Sequence, residues 1–289
     1  MAEIVYLNGE FLPADKARIA VRDYGFLFGY GLYETMRAYE GVPFRMDRHL
    51  ERLQRSLDSL DIPLKAGELR GAILATILKN EHRDARVRLT VTAGEGSFTP
   101  AKASCQQPLV LIVATGYTPY DQGVYRRGFR VAISAFRRNS QSPLPSMKTT
   151  CFLESLLARE KARQAGFDDA ILLNDQGKPV EGSSSNLFLV IGDELVTPAT
   201  GSGILPGVTR EAVLEICSRE RIRAVEREVT FRELISADEV FLTNSMIEIM
   251  PVSQVDENPI GRGVPGQVTE KLMLLYRQLV TAEISSDWR

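Results

Sequence analysis

The sequence predicts an α+β fold in two domains. The chain has 289 residues, 44% of them are hydrophobic, and helix-like and strand-like patterns follow one another along it. A typical domain holds about 150 residues, so this length favours two. A loop rich in Gly, Tyr and Pro at residues 116–128 separates two apolar strands. We therefore expect one α+β domain at residues 1–115, an interdomain loop, and a second α+β domain at residues 129–289.

The first domain is expected to contain two helices and two strands. Leu50, Leu53 and Leu57 recur at helical spacing, which predicts an amphipathic helix. Apolar and polar residues alternate along residues 87–93, as in a strand with one apolar face. The predicted helices are residues 47–60 and 68–80, and the predicted strands are residues 87–93 and 109–114.

The second domain is expected to mix buried strands with amphipathic helices. Short apolar runs indicate the strands, and longer runs with helical periodicity indicate the helices. The predicted strands are residues 131–136, 170–173, 186–191 and 239–243, and the predicted helices are residues 152–164, 209–221 and 267–282.

Charge and cysteine content argue against several classes of protein. With 35 Lys+Arg against 37 Asp+Glu the net charge is −2, so neither nucleic acid nor an anionic membrane is expected as the main partner. The basic pair Arg137-Arg138 is read as a solvated segment, with a local anion-binding role as the alternative. The three cysteines form no CxxC pair, and no apolar run reaches the ~18–20 residues that span a bilayer. We expect a reduced, cytoplasmic protein that holds no metal.

Common catalytic motifs are also absent from the sequence. The only histidines are His49 and His82, and neither G-x-S-x-G, G-x-G-x-x-G nor a P-loop occurs. Any enzyme of this sequence must therefore take its reactive group from a cofactor or rely on lysine and carboxylates. Lys148 is a candidate because it lies between a Pro-rich turn and a helix, although a lone lysine in such a place is more often solvated.

Six motifs stand out in chain order, which are Gly29-Tyr30-Gly31-Leu32-Tyr33-Glu34, His49-Leu50-Glu51-Arg52-Leu53, Lys148 before a Leu-rich helix, Glu181-Gly182-Ser183-Ser184-Ser185-Asn186, Gly207-Val208-Thr209-Arg210, and Glu248-Ile249-Met250-Pro251-Val252. Together they resemble the fold type IV enzymes that depend on pyridoxal 5′-phosphate (PLP). This family includes branched-chain and D-amino acid aminotransferases and aminodeoxychorismate lyase, and the resemblance implies a D-amino acid aminotransferase-like two-domain fold.

The resemblance implies a role for each matching residue. Lys148 would hold PLP as a Schiff base and carry out the catalytic proton transfer, and Glu181 would contact the pyridine nitrogen. The phosphate would lie at the start of a helix, where free N–H groups and the dipole favour anions. Without the resemblance, Arg52 would be read as a surface residue because it lies off the leucine stripe. The implied cofactor-binding residues are Arg52, Lys148, Glu181, Ser185, Asn186, Val208, Thr209, Asn244 and Ser245.

The implied substrate contacts are Tyr33, Arg88, Ser245 and Met246, with the N–H groups of residues 245–247 receiving the α-carboxylate. Arg88 lies on the polar face of its strand, where a solvent-facing arginine is the alternative. Three departures from the family pattern stand out. Cys151-Phe152 replaces a common Asn-Tyr, Tyr30 replaces an Asp, and no Arg-x-His follows Gly94. The last departure weakens the D-amino acid interpretation.

We therefore expect transamination between an amino acid, branched-chain-like or related, and a 2-oxo acid, in a homodimer. One alternative is a 4-amino-4-deoxychorismate lyase that releases pyruvate and 4-aminobenzoate from the same residues. A second is a D-amino acid aminotransferase, and a third is a PLP-binding protein without turnover.

Overall fold

The computed structural model describes residues 3–105, 107–262 and 265–286. The chain forms two compact units. The first contains Met1–Thr118, Met147–Cys151 and Thr281–Arg289, and the second contains Pro119–Ser146 and Phe152–Val280. The short segment that carries Lys148 thus belongs to the first unit.

The first unit is built on a six-stranded sheet, counted over its described residues, with strand order β2-β1-β6-β5-β3-β4. Helix α2 packs on β3, and α3 packs on β5 and β6. Its elements are β1 (Ile4–Leu7), β2 (Glu10–Pro13), α1 (Tyr24–Phe28), β3 (Gly31–Tyr39), β4 (Val42–Pro43), α2 (Met46–Ser59), α3 (Arg70–Lys79), β5 (Ala85–Thr92) and β6 (Leu109–Gly116). The leucine stripe of α2, Leu50, Leu53 and Leu57, is buried in the core as its spacing predicts.

The second unit contains a sheet of nine strands among its described residues. Six of them, β10, β13, β14, β7, β8 and β9, close into a ring because β9 pairs with both β8 and β10. Its elements are α4 (Gln122–Arg127), β7 (Phe129–Arg138), α5 (Leu153–Gln164), β8 (Asp169–Asn174), β9 (Pro179–Gly182), β10 (Asn186–Ile191), β11 (Glu194–Thr197), α6 (Val208–Arg219), β12 (Ala224–Glu226), α7 (Phe231–Ser236), β13 (Glu239–Asn244), β14 (Glu248–Val255), β15 (Asn258–Pro259) and α8 (Gln267–Ser286), the last of which continues into the first unit.

The ring of strands has an apolar inside and a mixed outside. Leu187 and Leu189 of β10 and Leu242 of β13 belong to one buried cluster inside the ring. Successive side chains of a strand point to opposite faces, so Asn186 and Thr243 point outwards. Helix α5 packs on the outside against β7 and β8, and α6 packs against β13.

The observed elements agree with most of the predicted ones. The α+β class is confirmed, and the strand at residues 186–191 has the predicted bounds. Residues 116–128, expected to form a loop, include the short helix α4, which Asp121 caps by accepting the N–H of Gly123. The second predicted helix begins with a 3₁₀ turn at Ala66–Leu69 before α3. No helix among the described residues is long and apolar enough to cross a membrane.

A buried ionic cluster links β3 to α2 in the first unit. The carboxylate of Glu34 accepts hydrogen bonds from Nε and Nη2 of Arg52 at 2.8 and 2.6 Å and lies 2.7 Å from Nδ1 of His49. Arg52 is only 5% exposed, so the surface position expected for it without the family resemblance is wrong. Burial alone would raise the pKa of Glu34, but Arg52 and His49 outweigh it and lower the pKa to about 2.

His49 completes this cluster as a neutral donor. Burial lowers the pKa of His49, although its hydrogen bond to Glu34 opposes this shift. Because a carboxylate only accepts hydrogen bonds, Nδ1 of His49 must carry the proton. The cluster therefore holds one negative and one positive charge, with a neutral imidazole that orients the carboxylate.

The first prediction concerns the stability of this cluster at acidic pH. The folded-state pKa of Glu34 is about 2, below the ordinary 4.5, so the ionised carboxylate stabilises the fold above pH 4.5 and this contribution is lost as the pH falls towards 2. We expect Glu34→Gln to lower the free energy of unfolding at pH 7 by on the order of 3 kcal/mol. The deficit should shrink steadily between pH 4.5 and pH 2.

Urea unfolding of parent and variant across this pH range measures the deficit. Glu10→Gln, at an exposed residue, is the matched control and should change stability by less than about 0.5 kcal/mol. A deficit for Glu34→Gln that is the same at pH 7 and pH 3 would contradict the assignment.

Candidate active site

The backbone around Lys148 is paired with the start of β3. The N–H of Tyr33 donates to the carbonyl of Lys148 at 2.8 Å, and the N–H of Thr150 donates to the carbonyl of Gly31 at 2.9 Å. Leu32 and Thr149 form an antiparallel bridge between these two bonds. Lys148 thus extends from a backbone that is fixed on both sides, as a covalent cofactor site requires.

The ring of Tyr33 lies close to two cations. The guanidinium carbon of Arg88 is 3.9 Å from the ring centroid, and Nζ of Lys148 is 4.6 Å from it. Both distances are within the range of cation–π attraction. Three of the predicted site residues, on β3, β5 and the lysine segment, therefore meet within the first unit.

Arg88 is a partly buried cation in this cluster. Burial lowers the pKa of Arg88, and burial raises the pKa of Tyr33 in spite of the nearby Arg88 charge. Among the described residues, no carboxylate forms an ion pair with Arg88, which bonds instead to Tyr33. A partly desolvated guanidinium without an acidic partner is suited to binding an anion.

Glu181 lies on β9 of the second unit and is 5% exposed. Its Oε1 is 2.6 Å from Nη2 of Arg138, and its Oε2 accepts the N–H of Leu205 at 3.2 Å. Arg138 therefore belongs to the candidate site rather than to a solvated basic segment, and the local anion-binding alternative describes it. The ion pair holds Glu181 in place and favours its ionised form.

The loop before α6 is packed tightly around Asn186. Nδ2 of Asn186 donates to the carbonyl of Leu205 at 2.8 Å, and a Cβ at Gly207 would collide with Oδ1 of Asn186. Helix α6 begins at Val208 without a side-chain cap. Its first N–H groups, including those of Val208 and Thr209, have no partner within the helix and can bind an anion.

Unsatisfied buried polar atoms in the second unit also indicate that a polar cofactor fits there. Three buried atoms, Nε of Arg138, Oγ of Ser185 and Oγ1 of Thr243, form no hydrogen bond with any of the described residues. Buried polar groups in folded proteins are almost always hydrogen-bonded. Their concentration near Glu181 and Asn186 indicates a polar ligand at this place.

The turn after β13 is held by Asn244. Its Oδ1 accepts the N–H groups of Met246 and Ile247 at 2.8 and 2.9 Å, and its Nδ2 donates to the carbonyl of Ser184 at 3.0 Å. Two of the N–H groups that the resemblance assigns to the substrate carboxylate are thus engaged with Asn244. Asn244 joins this turn to the serine-rich turn that contains Ser185.

The structure groups the predicted site residues within each unit. Tyr33, Arg52, Arg88 and Lys148 lie in the first unit, and Glu181, Ser185, Asn186, Val208, Thr209, Asn244, Ser245 and Met246 lie in the second. Sequence reasoning assigned no role to Glu34 or Thr243, and it gave Arg138 only the alternative of local anion binding. Glu34 stands in a quoted motif and Arg138 in a noted basic pair, but no local signal distinguishes Thr243.

Known proteins resemble this chain along nearly its whole length. Residues 31–255 match the family model described as amino-transferase class IV. A protein of Methanocaldococcus jannaschii assigned as a branched-chain-amino-acid aminotransferase is 37% identical and is aligned over 96% of each chain. The aminodeoxychorismate lyase of Bacillus subtilis is 30% identical over 95% of this chain and 94% of its own. The D-alanine aminotransferase of Bacillus licheniformis is 30% identical over 96% and 98%.

A solved structure shows the same architecture. A branched-chain amino acid aminotransferase from T.th., crystallised with pyridoxamine 5′-phosphate, superposes with a TM-score of 0.92 at 30% identity and covers 98% of this chain and 95% of its own. The predicted family and the predicted fold type IV architecture are therefore confirmed. The chain belongs to the class IV aminotransferase family of enzymes.

Proposed function

We propose that this enzyme transfers the amino group of a branched-chain or related amino acid to a 2-oxo acid, with PLP as cofactor. The observation that carries the proposal is Lys148, whose backbone is fixed beside β3 and whose amine lies at Tyr33, next to Arg88. The 37% identity to the Methanocaldococcus jannaschii protein supports the branched-chain assignment.

PLP is the cofactor predicted by the sequence, and membership of the class IV family supports it. When bound, its protonated ring withdraws electrons from the substrate Cα, which makes the Cα proton acidic. Lys148 would bind the cofactor aldehyde covalently. Val208, Thr209 and Arg52 would bind the phosphate, with Ser245 and Asn244 at the same end, and Ser185 and Asn186 would line the cofactor.

Two residues of the chain would control the proton transfer. The amine of Lys148, when it is not bonded to the cofactor, would take the proton from the substrate Cα and return it at C4′. Glu181 would accept a hydrogen bond from the pyridine nitrogen and so keep that nitrogen protonated. Nη2 of Arg138, 2.6 Å from Oε1 of Glu181, would hold this carboxylate in place and favour the ionised form that the pyridinium requires.

The substrate would be oriented by side chains on β5 and β3 and by the turn after β13. Arg88 would bind a second carboxylate, such as that of a dicarboxylic 2-oxo acid, and Tyr33 would line the pocket. Ser245 and Met246 would receive the α-carboxylate at the turn after β13. Because Asn244 already accepts the N–H of Met246 at 2.8 Å, the substrate must compete with the Asn244 amide there.

The assembly and location of the enzyme are part of the same proposal. Large apolar side chains are exposed, among them Val21 and Phe26 in the first unit and Leu153 in the second. Exposed apolar side chains of this kind are compatible with an interface, and we propose a homodimer. Cys105, Cys151 and Cys217 are free cysteines, which suits a cytoplasmic enzyme. The proposed domains remain residues 1–115 and 129–289 in chain order, although Met147–Cys151 and Thr281–Arg289 group with the first compact unit.

A lyase is the second candidate function. It is favoured by the 30% identity to the aminodeoxychorismate lyase of Bacillus subtilis over 95% of this chain. The same lysine and carboxylate would serve a reaction that releases pyruvate and 4-aminobenzoate and needs no 2-oxo acid acceptor. Transamination of D-amino acids has less support as a function, because the Arg-x-His pair is missing after Gly94.

The second prediction tests the class of reaction. With purified enzyme and PLP, L-leucine, L-isoleucine or L-valine plus 2-oxoglutarate should yield glutamate, and the corresponding D-amino acids should react at least about 100-fold more slowly. Coupled glutamate detection measures the product. Pyruvate release from 4-amino-4-deoxychorismate without an acceptor, in place of glutamate formation, would establish the lyase instead.

The third prediction concerns the electrostatic role of Glu181. Glu181→Gln should retain PLP but slow Cα proton abstraction by on the order of 100-fold, because a neutral amide no longer keeps the pyridine nitrogen protonated. Stopped-flow absorbance with an amino donor measures this step. Glu257→Gln, at an exposed residue of the same unit, is the control, and an unchanged rate in Glu181→Gln would contradict the role.

The fourth prediction concerns Arg88 as a specificity residue. Arg88→Gln should raise KM for 2-oxoglutarate about tenfold or more, and should change KM for 4-methyl-2-oxopentanoate less than threefold, because only the former carries a second carboxylate. Arg86→Gln, exposed on the same strand, is the matched control. An equal loss for both acceptors would show that Arg88 does not select the second carboxylate.

A further inference from the structure

Thr243 of β13 has a buried hydroxyl that no described residue satisfies with a hydrogen bond. The residue is 1% exposed, and its Oγ1 forms no hydrogen bond with any described residue. Other threonine hydroxyls at comparable depth are satisfied: Thr197 donates to the carbonyl of Leu187 and Thr76 to that of Ala72. A buried hydroxyl is costly unless it is hydrogen-bonded, so Thr243 requires an explanation.

The register of the sheet determines the direction of this hydroxyl. Glu181 of β9 pairs with Asn186 of β10, and Asn186 pairs with Thr243 of β13, both in antiparallel register. Directly opposed residues of antiparallel strands point to the same face. Thr243 therefore lies in one row with Glu181 and Asn186 on the outside of the ring, away from Leu242 in the apolar interior.

The N-terminus of α6 lies on this same face. The loop before α6 is bonded to Asn186 through the carbonyl of Leu205, at 2.8 Å, and Gly207 is packed against Oδ1 of Asn186. Helix α6 itself packs on β13. Thr243 is the direct cross-strand neighbour of Asn186, and Asn186 packs against Gly207, the residue that precedes the first turn of this 12-residue helix.

We propose that Thr243 is a further phosphate ligand of the cofactor site, donating a hydrogen bond from Oγ1 to a phosphate oxygen. The proposal rests on the proposed function, because PLP supplies the phosphate. A phosphate carries several acceptor oxygens, and the helix N–H groups approach it from one direction only. A hydroxyl on the neighbouring strand can satisfy an oxygen that the helix does not reach, and the phosphate satisfies the buried hydroxyl in return.

The fifth prediction tests this role by cofactor release rather than by turnover. Thr243→Val keeps the shape but removes the donor, so PLP should leave the holoenzyme about tenfold faster, as expected for the loss of one hydrogen bond to a charged group. Thr243→Ser restores the donor and should release PLP within about threefold of the parent rate. Absorbance of the bound cofactor follows the release, and the ³¹P resonance of its phosphate should shift in Thr243→Val.

Two controls separate phosphate binding from a loss of stability. Thr76→Val breaks an internal hydrogen bond in the first unit and should lower Tm without changing PLP release. Pyridoxal, which lacks the phosphate, should bind parent and Thr243→Val equally well.

Two outcomes would contradict the role of Thr243. The first is that PLP leaves the parent and Thr243→Val at the same rate. The second is that Thr243→Val loses as much affinity for pyridoxal as for PLP, which would place the hydroxyl at the cofactor ring or on a water molecule. A parent protein that binds no PLP at all would instead contradict the proposed function itself.

Discussion

The rest of the candidate site depends on the backbone pairing between residues 148–150 and the start of β3. Two backbone hydrogen bonds and a bridge fix the position from which the Lys148 side chain extends. Because this pairing involves β3, it places the Lys148 amine against the ring of Tyr33. The same strand carries Glu34, which bonds to His49 and Arg52 of α2. A displaced lysine segment would separate the amine from all of these groups. Precise placement of this kind is what reactions between a fixed amine and a bound carbonyl require.

The two buried carboxylates, Glu34 and Glu181, are each matched by a cation. Some buried donors, by contrast, have no partner among the described residues. Glu34 is neutralised by Arg52, and Glu181 by Arg138. Removing one member of such a pair would leave an uncompensated buried charge, which is strongly destabilising. The buried donors without partners among the described residues, such as Oγ of Ser185, lie close to Glu181 and Asn186. A phosphorylated cofactor needs hydrogen-bonding groups that the fold itself leaves unsatisfied. Its binding would account for these buried donors, which would otherwise only destabilise the protein.

Short sequence patterns predicted those features of the fold that depend on residues close together in the sequence. The leucine stripe of α2, the alternation along β5 and the glycine-rich start of α6 are all read over a few residues, and the structure has each of them. Periodicity alone placed Arg52 on the surface, because it cannot reveal that Glu34, 18 positions earlier, lies opposite it. Thr243 was missed, and the place of Arg138 beside Glu181 was not predicted, for a related reason. Their partners and neighbours are set by strand pairing between distant segments, such as β10 with β13, and single-sequence patterns do not contain that register. The segment containing Lys148 likewise joins the first unit through long-range pairing.

The most direct test of the account is to locate the cofactor on the chain. Enzyme incubated with PLP should be reduced with borohydride, digested and examined by peptide mass spectrometry. The account predicts one phosphopyridoxyl group per chain, attached to Lys148, and none on Lys161 or Lys178, which serve as internal references in the same digest. Attachment elsewhere, or no stable attachment while Lys148 stays unmodified, would contradict the central claim.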